Sequence, residues 1–142
     1  MWKVSRTHLQ RHWSLTVEKT AEDGGSLARV ELRTDESTYA TVQYDFALGT
    51  ATVRRDAAAK QTAGLAPDYG AARSAASPPR DGKVELAIVV DYCSVEVFVN
   101  GGERAMSSLV YRAPGRHSIK ALTGGGTLTL KSMSYRPLAS TR

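Results

Sequence analysis

The amino-acid sequence predicts an all-β fold: a two-sheet antiparallel β-sandwich of the jelly-roll or concanavalin-like kind, with little helix. Apolar residues recur at every second position almost wherever a period can be read, which is typical of half-buried strands. Short turns rich in glycine or asparagine separate these runs along the 142 residues. Because there is no internal repeat and no linker, we expect residues 1–142 to form a single domain with its core at about 13–135.

The first predicted strands lie before residue 56. Trp13, Leu15 and Val17 alternate with polar residues and precede a glycine turn at 23–25. The next strands are expected over 27–33, 39–46 and 50–55, with turns at 34–37 and 47–49. Residues 56–82 are expected to be mostly loop, because their glycines and prolines would break any longer helix.

The clearest pair of strands is predicted between residues 84 and 99. Aliphatic residues alternate over 84–90 and again over 95–99, on either side of a turn at 91–94. Asn100-Gly101-Gly102 forms the next turn, because these residues tolerate the positive φ of tight hairpins. A further strand follows over 105–111. Residues 117–122 and 127–135 are expected to pair as a closing hairpin, with Pro137 ending the last strand.

Composition and charge exclude some classes of partner. The 19 Lys and Arg against 14 Asp and Glu give a net charge of +5, but apart from Arg54-Arg55 they are scattered singly, so we expect no nucleic-acid partner. No apolar run is long enough to span a membrane, and none follows Met1 as in a signal peptide; the protein is either cytosolic or has lost a leader. The single Cys93 excludes an internal disulfide.

Sequence motifs for catalysis are missing. The chain has no phosphate-binding glycine loop, no Gly-x-Ser-x-Gly elbow and no calcium-binding carboxylate spacing. His8, His12 and His117 are scattered, so we expect no metal and no cofactor. A glycosidase needs two facing carboxylates, and fourteen acids make such a pair possible by chance, so their number is uninformative.

Two acids near the 91–94 turn are more informative. If the three valines of 95–99 occupy one face of their strand, Glu96 and Phe98 share the other. A carboxylate beside an aromatic ring suits a sugar, whose hydroxyls donate to the carboxylate while the ring covers apolar C–H groups. The alternative is structural: Asp91 caps the turn, and Glu96 pairs with an arginine on a neighbouring strand.

Segment 90–103, VDYCSVEVFVNGGE, resembles the VDRSSVEVFVNDGE stretch in the C-terminal β-sandwich of glycoside hydrolase family 32, the family of invertases, inulinases and levanases. Segments 42–45 and 52–55, VQYD and TVRR, are similar to that domain's Gly-Tyr-Asp and Val-Asp-Arg strands. The resemblance spans about 13–135. Arg54 stands where the family has aspartate, beside a retained Arg55, and Tyr92-Cys93 replaces Arg-Ser, so sugar specificity is expected to differ.

The resemblance implies that this chain is not an enzyme. The family's catalytic acids lie in an N-terminal five-bladed propeller, in motifs such as Arg-Asp-Pro and Glu-Cys that are missing here. In some exo-levanases a similar sandwich, carbohydrate-binding module family 66, binds the terminal fructose of levan, whereas in many members the sandwich supports the propeller. The binding module explains an isolated sandwich better, because a support without its propeller would expose an apolar face.

On this resemblance we expect a secreted, non-catalytic module of a fructan hydrolase that binds levan-type or inulin-type fructan through terminal fructosyl units. The alternative is a purely structural domain that supports a catalytic β-propeller. The residues expected to bind the sugar are Glu96, Asp91 and Arg55 as hydrogen-bonding groups, and Tyr92, Tyr44 or Tyr111 as the ring against the furanose.

Overall fold

The structure is a computed structural model. It describes residues 10–19, 27–34, 37–55, 72–91, 94–109, 117–124 and 128–138. The strands within them are β1 (Gln10–Lys19), β2 (Leu27–Thr34), β3 (Ser37–Asp45), β4 (Thr50–Arg55), β5 (Arg73–Ala76), β6 (Lys83–Val90), β7 (Ser94–Val99), β8 (Arg104–Leu109), β9 (His117–Gly124) and β10 (Leu128–Leu138). None of the described residues belongs to a helix long and apolar enough to cross a membrane.

The ten described strands form two antiparallel sheets of five strands each. Sheet A has the order β10–β1–β6–β7–β8, and sheet B has the order β5–β4–β3–β2–β9. Inward side chains of both sheets join in one hydrophobic core, whose largest fully buried members include Tyr44, Leu15, Leu32, Leu86 and Ile88. The predicted all-β, two-sheet antiparallel sandwich is therefore confirmed.

Strands β6 and β7 form the predicted hairpin around residues 91–94. Along β7 the three valines are fully buried, whereas Glu96 is exposed and Phe98 is half-buried. Burying each valine side chain stabilises the fold by about 1.5–3 kcal/mol, so a slip of one residue would be strongly unfavourable. Glu96 and Phe98 are thereby fixed on the outer face of sheet A, as the alternation predicts.

The predicted closing hairpin over 117–135 is wrong. Strand β9 pairs with β2 in sheet B, while β10 pairs with β1 in sheet A, so the chain changes sheets between them. An apolar period of two is the same for a hairpin partner and for a strand of the opposite sheet, which is why the pattern does not separate the two arrangements. Pro137 lies inside β10, opposite Arg11, because an edge strand tolerates a missing N–H.

The loop predicted over 56–82 also contains a strand. Strand β5 pairs with β4 at the edge of sheet B. Its sequence, Arg-Ser-Ala-Ala, is largely exposed and has no apolar alternation, so it carries no strand signal. Residues 56–71 lie outside the described ranges.

A hydrogen-bond network, which we call the Ser77 network, joins the two sheets through buried Tyr44, Ser77 and Asn100 and exposed Glu103. Asn100 and the two glycines after it have positive φ, as the predicted turn requires, and Asn100 Nδ2 donates to Ser77 Oγ at 3.0 Å. Ser77 Oγ donates to Glu103 Oε1 at 2.7 Å, and Tyr44 Oη donates to the Ser77 carbonyl at 2.6 Å. Because Tyr44 belongs to sheet B and Asn100 follows a strand of sheet A, the network fixes the sheets relative to each other.

Candidate functional site

The outer face of sheet A carries the acid that the sequence singles out. Exposed Glu96 lies opposite Val89 of β6 and Ser107 of β8. Beyond Val89 the same row continues through His12 of β1 to Arg136 of β10. Within the described ranges the Glu96 carboxylate has no ion-pair partner, so the alternative pairing with a neighbouring arginine is not found there.

Phe98 lies two residues from Glu96 on the same face, opposite Ala87 of β6 and Ala105 of β8. Small side chains around the half-buried ring leave a hollow of about 240 Å³, which we call the Phe98 hollow. Residues of β1, of β6 and of the turn after β7 line the hollow together with Phe98: Ser14, Thr16, Glu85, Ala87, Gly101 and Gly102.

The Phe98 hollow combines an apolar surface with hydrogen-bonding groups. Phe98 offers the apolar surface, and two exposed carboxylates are able to accept hydrogen bonds: Glu85 lines the hollow, and Glu96 is the next outward residue of β7 before Phe98. Hydrogen bonds to a charged acceptor are roughly twice as strong as bonds between neutral groups. A ligand with several hydroxyls and one apolar side, such as a sugar, fits this combination.

The other hydrogen-bonding residues expected from the sequence lie elsewhere. Asp91 is half-buried, and its backbone N–H closes the β6–β7 turn by donating to the Ser94 carbonyl at 2.9 Å. Arg55 ends β4 opposite Ala40, so it belongs to sheet B, whereas Glu96 belongs to sheet A. The structure therefore does not bring Arg55 and Glu96 onto one sheet. Tyr92 and Tyr111 lie outside the described residues, as does the Arg55 side chain.

The expectation that Tyr44 stacks against a sugar is wrong. Its side chain is 0% exposed, and its ring meets Phe46 edge-on with centroids 5.0 Å apart. Burial, reinforced by the negative charges of Glu103 and Asp45, raises the pKa of Tyr44 to about 12. Tyr44 shares the inward face of β3 with Val42, so the alternation already contained the signal for its burial.

Glu85 and Ser14 contribute to the Phe98 hollow, although the sequence analysis does not single them out. Both occupy outward positions that alternate with buried residues: Leu86 follows Glu85, and Leu15 follows Ser14. The alternation of the sequence therefore predicts that both side chains point outward. The sequence does not predict that β1 pairs with β6, and this pairing is what brings Ser14 and Glu85 close together. Within the described ranges no group of three or more His, Cys, Asp or Glu side chains is placed to hold a metal ion.

A second surface feature lies where the edges of the two sheets meet at β9 and β10. An apolar groove of about 260 Å³ opens there, lined in part by Leu15, Val17, Leu122 and Leu128. Three large apolar side chains of β10 are about half exposed: Leu130 at 45%, Met133 at 51% and Tyr135 at 50%. We call these three side chains the β10 apolar strip. Exposed apolar side chains grouped in this way are typical of surfaces that contact another molecule or domain.

Two antiparallel five-stranded sheets packed around one hydrophobic core define a β-sandwich domain. In fold the chain is similar to galectin-Ib of Xenopus laevis, with a TM-score of 0.60, 12% sequence identity and coverage of 89% of this chain and 90% of that one. Residues 4–137 match the family model described as glycosyl hydrolases family 32 C terminal. The chain therefore belongs to this family and corresponds to its C-terminal domain, which confirms the resemblance found in segment 90–103.

Relatives of the chain include a levanase and two solved structures of larger enzymes. The levanase of Bacillus subtilis (strain 168) is 30% identical over 108 residues, which cover 76% of this chain and 16% of the levanase. The beta-fructofuranosidase of Schwanniomyces occidentalis complexed with fructosyl-erythritol is similar with a TM-score of 0.68 and 16% identity, over 89% of this chain and 28% of the enzyme. The exo-inulinase of Aspergillus awamori is similar with a TM-score of 0.65 and 21% identity, over 92% of this chain and 25% of the enzyme. The chain thus spans a minor part of each relative.

Proposed function

We propose that this domain binds fructan chains through the outer face of sheet A and serves as an accessory to a family 32 catalytic domain. The observation that carries the proposal is the exposed carboxylate of Glu96 beside the half-buried ring of Phe98 and its hollow. The relatives named for levan, inulin and fructofuranosides support fructose polymers as the ligand class. Because such polymers occur outside cells, we propose that the domain acts as part of a secreted protein.

The binding mode follows from the chemistry of the face. Phe98 covers an apolar side of the furanose, while Glu96 and Glu85 accept hydrogen bonds from hydroxyls. We include Asp91, which lies beyond Glu96 toward the β6–β7 turn, among the residues that accept hydrogen bonds from the sugar. Sugar binding by Arg55, Tyr92 and Tyr111 stays a prediction from the sequence. Each hydroxyl contact replaces a water that was nearly as good a partner, so Kd is expected on the order of 10 μM to 1 mM.

Calorimetric titration with levan, inulin and short fructo-oligosaccharides tests this function. Phe98→Ala and Glu96→Gln are each expected to weaken binding about tenfold or more, because each removes a main contact. The matched controls are Leu48→Ala, which removes an apolar side chain that is 74% exposed, and Asp81→Asn, which neutralises an exposed turn carboxylate. Both controls are expected to bind like the unmodified domain.

The fold of each variant is checked by circular dichroism and thermal unfolding. Exposed Glu96 and half-buried Phe98 tolerate substitution with little loss of stability, so lost binding reports the site itself. Flat titrations with every fructan, or full binding by Phe98→Ala, would contradict the proposed function.

The β10 apolar strip favours a second candidate function, structural support of a catalytic propeller. In this case Leu130, Met133 and Tyr135 would be covered by the neighbouring domain. The prediction is that a family 32 propeller expressed together with this domain binds it, and that Leu130→Gln with Met133→Gln weakens the binding about tenfold. Phe98→Ala serves as the control and is expected to leave this association intact. Equal association of both variants would remove the support function.

A further inference from the structure

A second hollow lies on the outer face of sheet A, beside the Phe98 hollow. It measures about 250 Å³ and is lined by His12, Ser14, Ser134, Tyr135 and Arg136, and we call it the Arg136 hollow. Ser14 lines both hollows, so the two are adjacent. The Ser14 hydroxyl lies 3.2 Å from His12 Nε2, within hydrogen-bonding distance, which positions it between them.

Cross-strand pairing shows that small side chains connect the two hollows. From Phe98 of β7 the row passes through Ala87 of β6 and Ser14 of β1 to Ser134 of β10. This row crosses three strand spacings, which amount to about 14 Å. Neither of the two intervening side chains, Ala87 and Ser14, is large, so no bulky group of this row separates the two hollows.

The neighbouring row supplies charged groups along one side of the two hollows. Glu96 stands near Phe98, and exposed Arg136 stands at the far end, with Val89 and His12 between them. A carboxylate accepts hydrogen bonds and a guanidinium donates them, so the two ends complement the hydroxyl donors and oxygen acceptors of a sugar chain. On the β8 side the face continues over the exposed, small Ala105 and Ser107, so no described side chain of β8 blocks the row.

We propose that the Phe98 and Arg136 hollows form one trough that takes an internal stretch of several sugar units, lying across the strands. The inference rests on the proposed function and specifies its ligand as an internal segment of chain, in place of the terminal fructosyl unit expected from the sequence. A span of about 14 Å is longer than one monosaccharide, so a ligand that fills both hollows is an oligomer. The open β8 side lets the chain run through without an end at the site.

Titration with fructo-oligosaccharides of increasing length tests the trough. Affinity is expected to rise about tenfold or more between a disaccharide and a tetrasaccharide, and then to level off once the trough is filled. Arg136→Ala and Ser134→Ala are expected to reduce the affinity for the long chains to that for the short ones, and to leave disaccharide binding unchanged. Phe98→Ala is expected to weaken binding of every length.

Lys131→Ala is the matched control, because Lys131 is an exposed cation of β10 outside both hollows. It is expected to bind all lengths like the unmodified domain. Binding without length dependence, or an equal effect of Arg136→Ala on all lengths, would overturn the trough and leave the proposed function standing. Failure of every fructan to bind would overturn the proposed function and the trough with it.

Discussion

The Tyr44 phenol donates to the Ser77 carbonyl in the interior of the sandwich, and this bond is one of four that meet at Ser77. The Ser77 and Arg80 hydrogen bonds hold the pKa of Glu103 below its usual value of 4.5. The Glu103 carboxylate therefore favours the folded state above pH 4.5, and this contribution is lost as the pH falls through its lowered pKa. Protonation of Glu103 therefore weakens the Ser77 network, which joins the two sheets.

Tyr44→Phe is predicted to lower the free energy of unfolding by about 1–2 kcal/mol at neutral pH, because it removes a buried hydrogen bond. The folded-state pKa of Tyr44 is about 12 against an ordinary value of 10.0, so its contribution is complete below pH 10 and is lost as the pH rises toward 12. Urea unfolding between pH 7 and pH 11 measures both effects. The variant is expected to lose less stability than the unmodified protein over the alkaline range; parallel curves would contradict the assignment.

At the residue scale, the alternation of inward and outward side chains along a strand decides how much of the site is predictable. The buried valines of β7 place Glu96 and Phe98 outward, and the structure agrees. The same parity rule places Tyr44 inward with Val42, against its expected role in stacking. His12, Ser134 and Arg136 come near one another only through strand pairing, which no local pattern records.

At the scale of elements, two turn glycines have the same backbone conformation but different surroundings. Gly49 has φ +64, and a Cβ placed there would lie 3.2 Å from the Pro78 Cα; Gly101 has φ +71 and nothing within 4 Å. Gly49 also accepts a hydrogen bond from the Ser77 N–H at 2.8 Å, which holds the segment after β5 against this turn. The first turn is therefore constrained by space as well as by φ.

Gly101→Ala is predicted to lower the free energy of unfolding by about 1–2 kcal/mol, through the strain of a left-handed residue alone. Gly49→Ala is predicted to lower it by about 2–4 kcal/mol, because the added methyl also presses on the backbone at Pro78. Urea denaturation of the two variants gives the comparison directly. Equal losses would mean that the contact at Pro78 relaxes without hindrance.

Element boundaries and partners were predictable to different degrees. The β6–β7 hairpin follows from alternation interrupted by a turn, and both its strands and its pairing are as expected. Strands β9 and β10 were expected, but their sheets were not, because each satisfies the same apolar period in either place. The four residues of β5 pair at an edge through backbone atoms, which leaves almost no trace in side-chain pattern.

At the scale of the whole molecule, sheet A presents two surfaces with different chemistry. The outer face of sheet A carries the trough, with carboxylates at one end and a guanidinium at the other. The β10 apolar strip lies on the edge strand beside it. The two surfaces meet at Tyr135, which is one of the three residues of the strip and also lines the Arg136 hollow.

The pairing of β1 with β10 has a mechanical consequence. Gln10 and Leu138 are opposite each other at one end of this pair, and β10 is an edge strand that, among the described strands, pairs with β1 alone. Tension applied through these two ends would load the backbone hydrogen bonds successively, as in unzipping, instead of all together in shear. Force spectroscopy on the tethered domain should therefore detach β10 first, at low load, before the valine-rich centre of sheet A gives way.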